Sequence, residues 1–144
     1  MRILNINNLN TGSLVDIISF CQETSRNGGG AFLVPMNPIK VIKARRHSEF
    51  QNIIDNASWV FPDAWGMKWA VRFLYRQNVA LLPGYIVMFS LIEQAAHGGH
   101  SVYFLGTTDD VLEIASDRLR EKYPWLRIVG VHHGFFSNSE EGSL

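Results

Sequence analysis

Ser101 to Val131 reads SVYFLGTTDDVLEIASDRLREKYPWLRIVGV. Ser101 to Leu105 is apolar enough for a buried strand. Gly106-Thr107-Thr108-Asp109-Asp110 turns the chain into a helix that runs to Tyr123, and Pro124 stops it. Arg127 to Val131 is then a second strand, ended by His132-His133-Gly134. Two strands joined through a helix lie parallel, because the crossover returns the chain to the same end of the sheet.

The same alternation extends upstream. Arg2 to Ile6 reads as a short strand, followed by the hydroxyl caps of Thr11-Gly12-Ser13 and an amphipathic helix carrying Leu14, Ile17, Ile18 and Cys21 on one side. Asn27-Gly28-Gly29-Gly30 closes it. Ala31 to Val34 reads as a buried strand ended by Pro35-Met36-Asn37-Pro38, with Pro38 opening the next helix. Ile39, Val41 and Ile42 give that helix an apolar side, and Lys40, Lys43, Arg45 and Arg46 a basic one. Ser48 caps a short helix with Phe50, Ile53 and Ile54 facing inward. Trp59-Val60-Phe61 is a strand, and Met67 to Tyr75 a helix expected to pack Trp69 and Phe73. Ile86 to His97 is another helix. Strands alternating with helices predict an α/β fold: a Rossmann-like, mainly parallel sheet with helices on both faces, spanning residues 1–144 as a single domain. The strands Ala31 to Val34, Val102 to Leu105 and Ile128 to Val131 are expected to be buried, since central parallel strands read as continuous apolar runs.

Composition narrows the function. Thirteen Lys and Arg balance 13 Asp and Glu, so no basic excess points to nucleic acid. Hydrophobic residues make up 47% and charged residues 18%, an ordinary globular mix. A single cysteine, Cys21, excludes an internal disulfide framework and a thiolate metal site. The opening Met1-Arg2-Ile3-Leu4-Asn5 lacks the apolar core of a signal peptide, and the expected location is intracellular. Val79 to Ile92 carries no charge. It is shorter than the ~20 residues of a spanning helix, and Pro83-Gly84 interrupts it. Its readings are a buried loop leading into a core helix, or a surface that dips into lipid.

Ligands of such sheets bind beyond the carboxyl ends of the strands. Four segments fall there: Pro35 to Pro38, Pro62 to Gly66, Gly106 to Asp110 and His132 to Phe135. Asp63 can serve as a general base on a hydroxyl, or simply as a turn or cap residue, and caps far outnumber catalytic acids. Asn37 offers both amide groups to a ligand, or an Asn-Pro turn that caps the next helix. Gly106 precedes a helix N-terminus, a place suited to phosphate, although one glycine is weak evidence and Thr108 reads equally as a plain cap. His132 and His133 are adjacent on a strand and point to opposite faces, so no shared metal is expected.

Together these pieces resemble the bacterial WecG/TagA/CpsF glycosyltransferase family. The matching stretches are Asn37-Pro38 with Ala44-Arg45-Arg46, Ala57 to Gly66 (ASWVFPDAWG), Trp69 to Leu74 (WAVRFL), Ser101 to Gly106 (SVYFLG) and Lys122 to Phe136 (KYPWLRIVGVHHGFF). The resemblance implies an inverting transfer of an N-acetylmannosamine-type sugar from a UDP donor. The implied acceptor is an undecaprenyl-diphosphate-linked N-acetylglucosamine, in teichoic acid or other surface polysaccharide synthesis. No cofactor and no metal are expected, and the resemblance implies a cytoplasmic protein peripheral to the inner face of the plasma membrane. Asp63 falls on the family's proposed catalytic Asp, and Asn37 on the Asn of its Thr-x-Asn-Pro motif. Gly84 falls on the Gly of an Arg-x-x-Gly-x-Asp pattern, and Gly106 closes the SVYFLG piece as a further substrate-binding candidate.

The departures from the family pattern carry expectations of their own. Pro35 stands in place of the motif Thr, Leu81 in place of the Arg, and Ile86 in place of the second Asp. Losing the Arg removes a diphosphate clamp. Members of the family continue past the position of Leu144 through further elements and a basic tail, so the sequence reads as C-terminally incomplete. That predicts weak or no turnover by this chain alone, at most weak membrane binding, and an exposed apolar patch or homo-oligomer. The alternative is a catalytically dead remnant that binds a nucleotide-sugar or a partner. A nucleotide-dependent oxidoreductase is set aside because no Gly-x-Gly-x-x-Gly follows a strand.

Overall fold

The computed structural model describes residues 9–136, a mixed α/β arrangement in which helices alternate with short strands. The strand expected at residues 2–6 lies outside the described residues. Among the described residues every strand pairing is parallel. The chain divides between Met88 and Phe89 into two compact units.

The first unit is built on β2 (Trp59–Pro62). It pairs in parallel with β1 (Leu33–Met36), from Leu33 opposite Trp59 to Met36 opposite Pro62, and Val60 also bridges to Leu9. β1 begins two residues later than expected and contains Pro35. The strand tolerates the proline because parallel ladders alternate the direction of successive residues. Met36 turns its carbonyl to β2 and accepts from Asp63 N–H at 2.9 Å. Pro35 therefore turns outward, and its carbonyl accepts from Lys40 Nζ at 2.7 Å.

Local chemistry starts the surrounding helices. α1 (Leu14–Arg26) opens on a capping box. Ser13 N–H donates to Asp16 Oδ2 at 2.7 Å, and Asp16 N–H to Ser13 Oγ at 3.3 Å. The Ser13 N–H and the Ser13 hydroxyl, which also donates to Asp16 Oδ2 at 2.8 Å, hold the Asp16 carboxyl below its ordinary value. α2 (Pro38–Arg46) has proline in its first turn, where the missing N–H costs nothing. It buries Val41 and Ala44 and leaves Ile39 and Ile42 exposed, which corrects the expected apolar side. Ser48 is the first residue of α3 (Ser48–Asp55) rather than its cap, a place taken by His47 without a side-chain bond. α4 (Trp65–Tyr75) buries Met67 and Val71, not Trp69 and Phe73. Trp69 lies about 200° round the helix from Met67, so only one of the two apolar faces can meet the core. The core joins Leu9, Val34, Met36, Val60, Met67 and Val71 with residues of α2 and α3.

α5 (Gly84–Gly98) starts two residues before the expected Ile86 and crosses from one unit to the other. The uncharged run Val79 to Ile92 is thus part loop and part helix. Val79, Leu82, Val87 and Ile92 are buried, while Tyr85, Ile86, Met88 and Phe89 are exposed. No described helix is long and apolar enough to cross a membrane.

In the second unit β3 (Ser101–Leu105) pairs in parallel with β4 (Arg127–His132) through α6 (Asp109–Lys122), as the opening stretch predicts. A register shift between Val102 and Tyr103 makes room for one extra residue of β4. Val102, Phe104 and Ile128 pack with Ile92, Ala96, Leu119, Tyr123 and Leu126. The opposite face is bare: Tyr103 is 48% exposed, Leu105 55%, Val129 62% and Val131 42%. The expectation that these two strands are buried, with helices on both faces, fails here because the packed residues of α5 and α6 all meet one side. Tyr103, Leu105, Val129 and Val131 together leave an exposed apolar patch on this face.

Candidate active site

Asn37 and Asp63 each follow the last residue of a strand, and those last residues, Met36 and Pro62, are paired neighbours. The parallel ladder therefore sets both side chains at the carboxyl end of one strand pair. Asn37 caps α2: its Oδ1 accepts from Lys40 N–H at 2.9 Å. That satisfies the bland reading of the residue and also holds its amide in one orientation. The Nδ2 donors have no partner among the described residues and remain for a ligand.

Asp63 does not cap the helix that follows it. The cap position of α4 is Ala64, which provides no side-chain bond. Asp63 Oδ1 instead accepts the N–H of Gly84, 21 residues on, at 2.7 Å. Oδ2 accepts nothing from the described residues. One oxygen is thus anchored and the other free, which suits a base whose orientation must not drift. Leu82 N–H also donates to Pro62 O at 2.9 Å, so the segment before α5 is tied to the end of β2 at two points.

Gly84 has a steric reason to be glycine. A Cβ there would stand 3.2 Å and 3.3 Å from Cβ and Cγ of Pro35 and 3.6 Å from Asp63 Oδ1. The structure therefore brings together Asn37, Asp63 and Gly84, with Pro35 against them. Gly106 lies in the second unit, at the carboxyl end of β3. Its φ of +139° disfavours any residue with a side chain, although nothing stands within 4 Å of where a Cβ would lie. Beside it, Thr108 at the cap position of α6 gives its hydroxyl to Asp110 and lowers that carboxyl's pKa. The acidic first turn of α6, Asp109 and Asp110, disfavours a phosphate at that helix end.

The loop positions of Asn37 and Asp63 were readable from sequence; the Asp63–Gly84 bond and the position of Lys40 were not. Lys40 reads as part of a basic helix side. In the structure its ammonium sits on Pro35 O, in the wall of a cavity of about 200 Å³ lined by Phe32, Leu33, Val34, Phe50 and Ile53. Only the proline in β1 hinted at an outward-facing carbonyl there.

The profile of the glycosyl transferase WecG/TagA/CpsF family matches residues 1–144. The chain belongs to this family. Among its relatives, the N-acetylglucosaminyldiphosphoundecaprenol N-acetyl-beta-D-mannosaminyltransferase of Staphylococcus aureus (strain NCTC 8325) is 29% identical over 122 residues, covering 85% of this chain and 46% of the relative. The protein of the same name from Bacillus spizizenii (strain W23) is 23% identical over 112 residues, 78% of this chain and 44% of the relative. The chain spans about half the length of these relatives.

Proposed function

We propose that this chain carries the base-bearing part of an inverting glycosyltransferase with a Rossmann-like fold. The reaction moves an N-acetylmannosamine-type sugar from a UDP donor to a lipid-linked N-acetylglucosamine, at the inner membrane surface, in teichoic acid or other surface polysaccharide synthesis. The relatives' names support the substrates. The observation that carries the chemistry is the half-anchored carboxylate of Asp63 beside Asn37 at paired strand ends.

In this mechanism Asp63 Oδ2 takes the proton of the acceptor hydroxyl as its oxygen attacks the anomeric carbon. The bond from that carbon to the diphosphate breaks on the opposite face, and UDP leaves with the electron pair. One displacement inverts the stereochemistry. Asn37 Nδ2 donates to the sugar or the diphosphate. The N–H groups of Trp65 and Gly66, in the first turn of a helix without a side-chain cap, favour the negative charge that develops on the leaving group. Lys40 is the cation nearest in sequence to Asn37, in place of the Arg absent at Leu81.

Leu81 and Ile86 favour a second reading, a domain that binds the nucleotide-sugar without transfer. The two separate experimentally. The purified chain is mixed with UDP-N-acetylmannosamine and the lipid-linked acceptor, UDP release is followed, and donor binding is measured by calorimetry. Asp63→Asn should lower transfer by about 10²- to 10⁴-fold while leaving donor binding nearly unchanged. Donor binding with no release by the unaltered chain supports the second reading. Full transfer by Asp63→Asn removes Asp63 from the base role.

A further inference from the structure

α4 has two apolar faces and the core uses one. On the other, Trp65, Trp69 and Phe73 follow at helical spacing and are 61%, 54% and 75% exposed. The rings of Trp69 and Phe73 stack with centroids 5.6 Å apart. Lys68 and Arg72 lie on the same side, and Arg76 follows at the helix end. Lys68 Nζ stands over the Trp65 ring, 5.3 Å from its centroid. No acidic residue occurs from Trp65 to Arg76, and none of these three cations has a carboxylate partner among the described residues.

We propose that this face of α4 docks on an anionic lipid surface. Tryptophan rings favour the headgroup level of a bilayer, where one side is apolar and the other wet. Lys and Arg on the same face extend their charged ends to lipid phosphates while their stems lie along the apolar layer. Charge complementarity selects this occupant over a second copy of the chain. A two-fold interface sets the same patch against itself, so Lys68, Arg72 and Arg76 would face their own counterparts without a carboxylate between them. The docking face is therefore α4 rather than the uncharged run Val79 to Ile92, and it does not depend on a C-terminal basic tail. Because α4 begins two residues after Asp63, docking holds the candidate base close to the membrane. The inference goes beyond the transfer reaction and does not require it, since vesicle binding is read without turnover.

The test is co-sedimentation of the 144-residue chain with phosphatidylcholine vesicles, with and without phosphatidylglycerol. Circular dichroism confirms that each variant folds. The chain should bind the anionic vesicles and release them as salt rises. Trp69→Ser with Phe73→Ser should lower the partition coefficient at least about tenfold. Lys68→Glu with Arg72→Glu should do the same on anionic vesicles only, by about tenfold or more. Trp125→Ser, an equally exposed tryptophan in the second unit, should change little. Binding that ignores the α4 substitutions, or no binding by the unaltered chain, overturns the proposal. So does sedimentation velocity showing a dimer that the α4 substitutions dissociate, which would make this face a contact between copies.

Discussion

Along β2 three consecutive residues, Val60, Phe61 and Pro62, are buried, whereas along β3 and β4 burial alternates residue by residue. Successive side chains of a strand point to opposite faces. The first pattern therefore needs cover on both sides of the strand, and the second needs it on one. Both strand pairs are parallel, and their sequences are similarly apolar. The rule that parallel strands are buried on both faces holds for β2, while β1 beside it alternates buried and half-buried residues, and it fails for β3 and β4. Apolar composition marks a strand as able to be buried. The number of elements packed on it decides whether it is.

The contrast can be broken most directly in the cores. Phe61→Ala removes a fully buried ring and should cost about 3–5 kcal/mol in denaturant unfolding. Leu105→Ala, on the bare face of β3, should stay within about 0.5 kcal/mol. A loss at Leu105 as large as that at Phe61 would mean that the face is covered in solution, and sedimentation would then show whether a second copy covers it.

Glycines of the second unit sharpen the point at smaller scale. A Cβ on Gly134 would lie 2.9 Å from Gly106 Cα and 3.2 Å from Thr107 N, against backbone that cannot swing away. Gly134→Ala should therefore cost about 1–3 kcal/mol. A Cβ on Gly130 would lie 2.5 Å from Tyr103 Cε2, a nominally worse clash. But the Tyr103 ring is half exposed and free to move into solvent, so Gly130→Ala should cost less than about 1 kcal/mol. Thermal unfolding of both variants orders them, and the reverse order would show that the ring is held on its outer side.

The smallest effect concerns acid. Asp16 in the first unit and Asp110 in the second each have a carboxyl pKa lowered by neighbouring hydrogen bonds, from Ser13 and from Thr108. A carboxyl depressed in the folded state adds stability above its unfolded pKa, and that stability is lost as pH falls through the folded value. Asp16→Asn and Asp110→Asn should each lower stability slightly near neutrality and converge with the unaltered chain in acid, so that unfolding becomes less sensitive to pH at the acid end. Acid titrations followed by circular dichroism check this. An unchanged acid limb in both variants would show that these exposed bonds do not matter to stability.

Local chemistry was legible in the sequence. Ser13 with Asp16 starts α1, Asn37-Pro38 starts α2, and Gly106 through Asp110 leads into α6, because caps and turns are settled by residues a few positions apart. The parallel sense of the strands followed from the alternation of strand and helix, and with it the place of Asn37 and Asp63 at adjacent strand ends. The family was legible from ASWVFPDAWG and KYPWLRIVGVHHGFF, stretches long enough to be specific. Tertiary structure alone decided which face of α4 is buried, because Met67 with Val71 and Trp69 with Phe73 have the same helical spacing and periodicity does not name a partner. It also left one face of β3 and β4 open, moved β1 onto Pro35, and joined Asp63 to Gly84 across 21 residues. Each of these depends on what a residue meets in space, and neighbours in sequence carry no record of that.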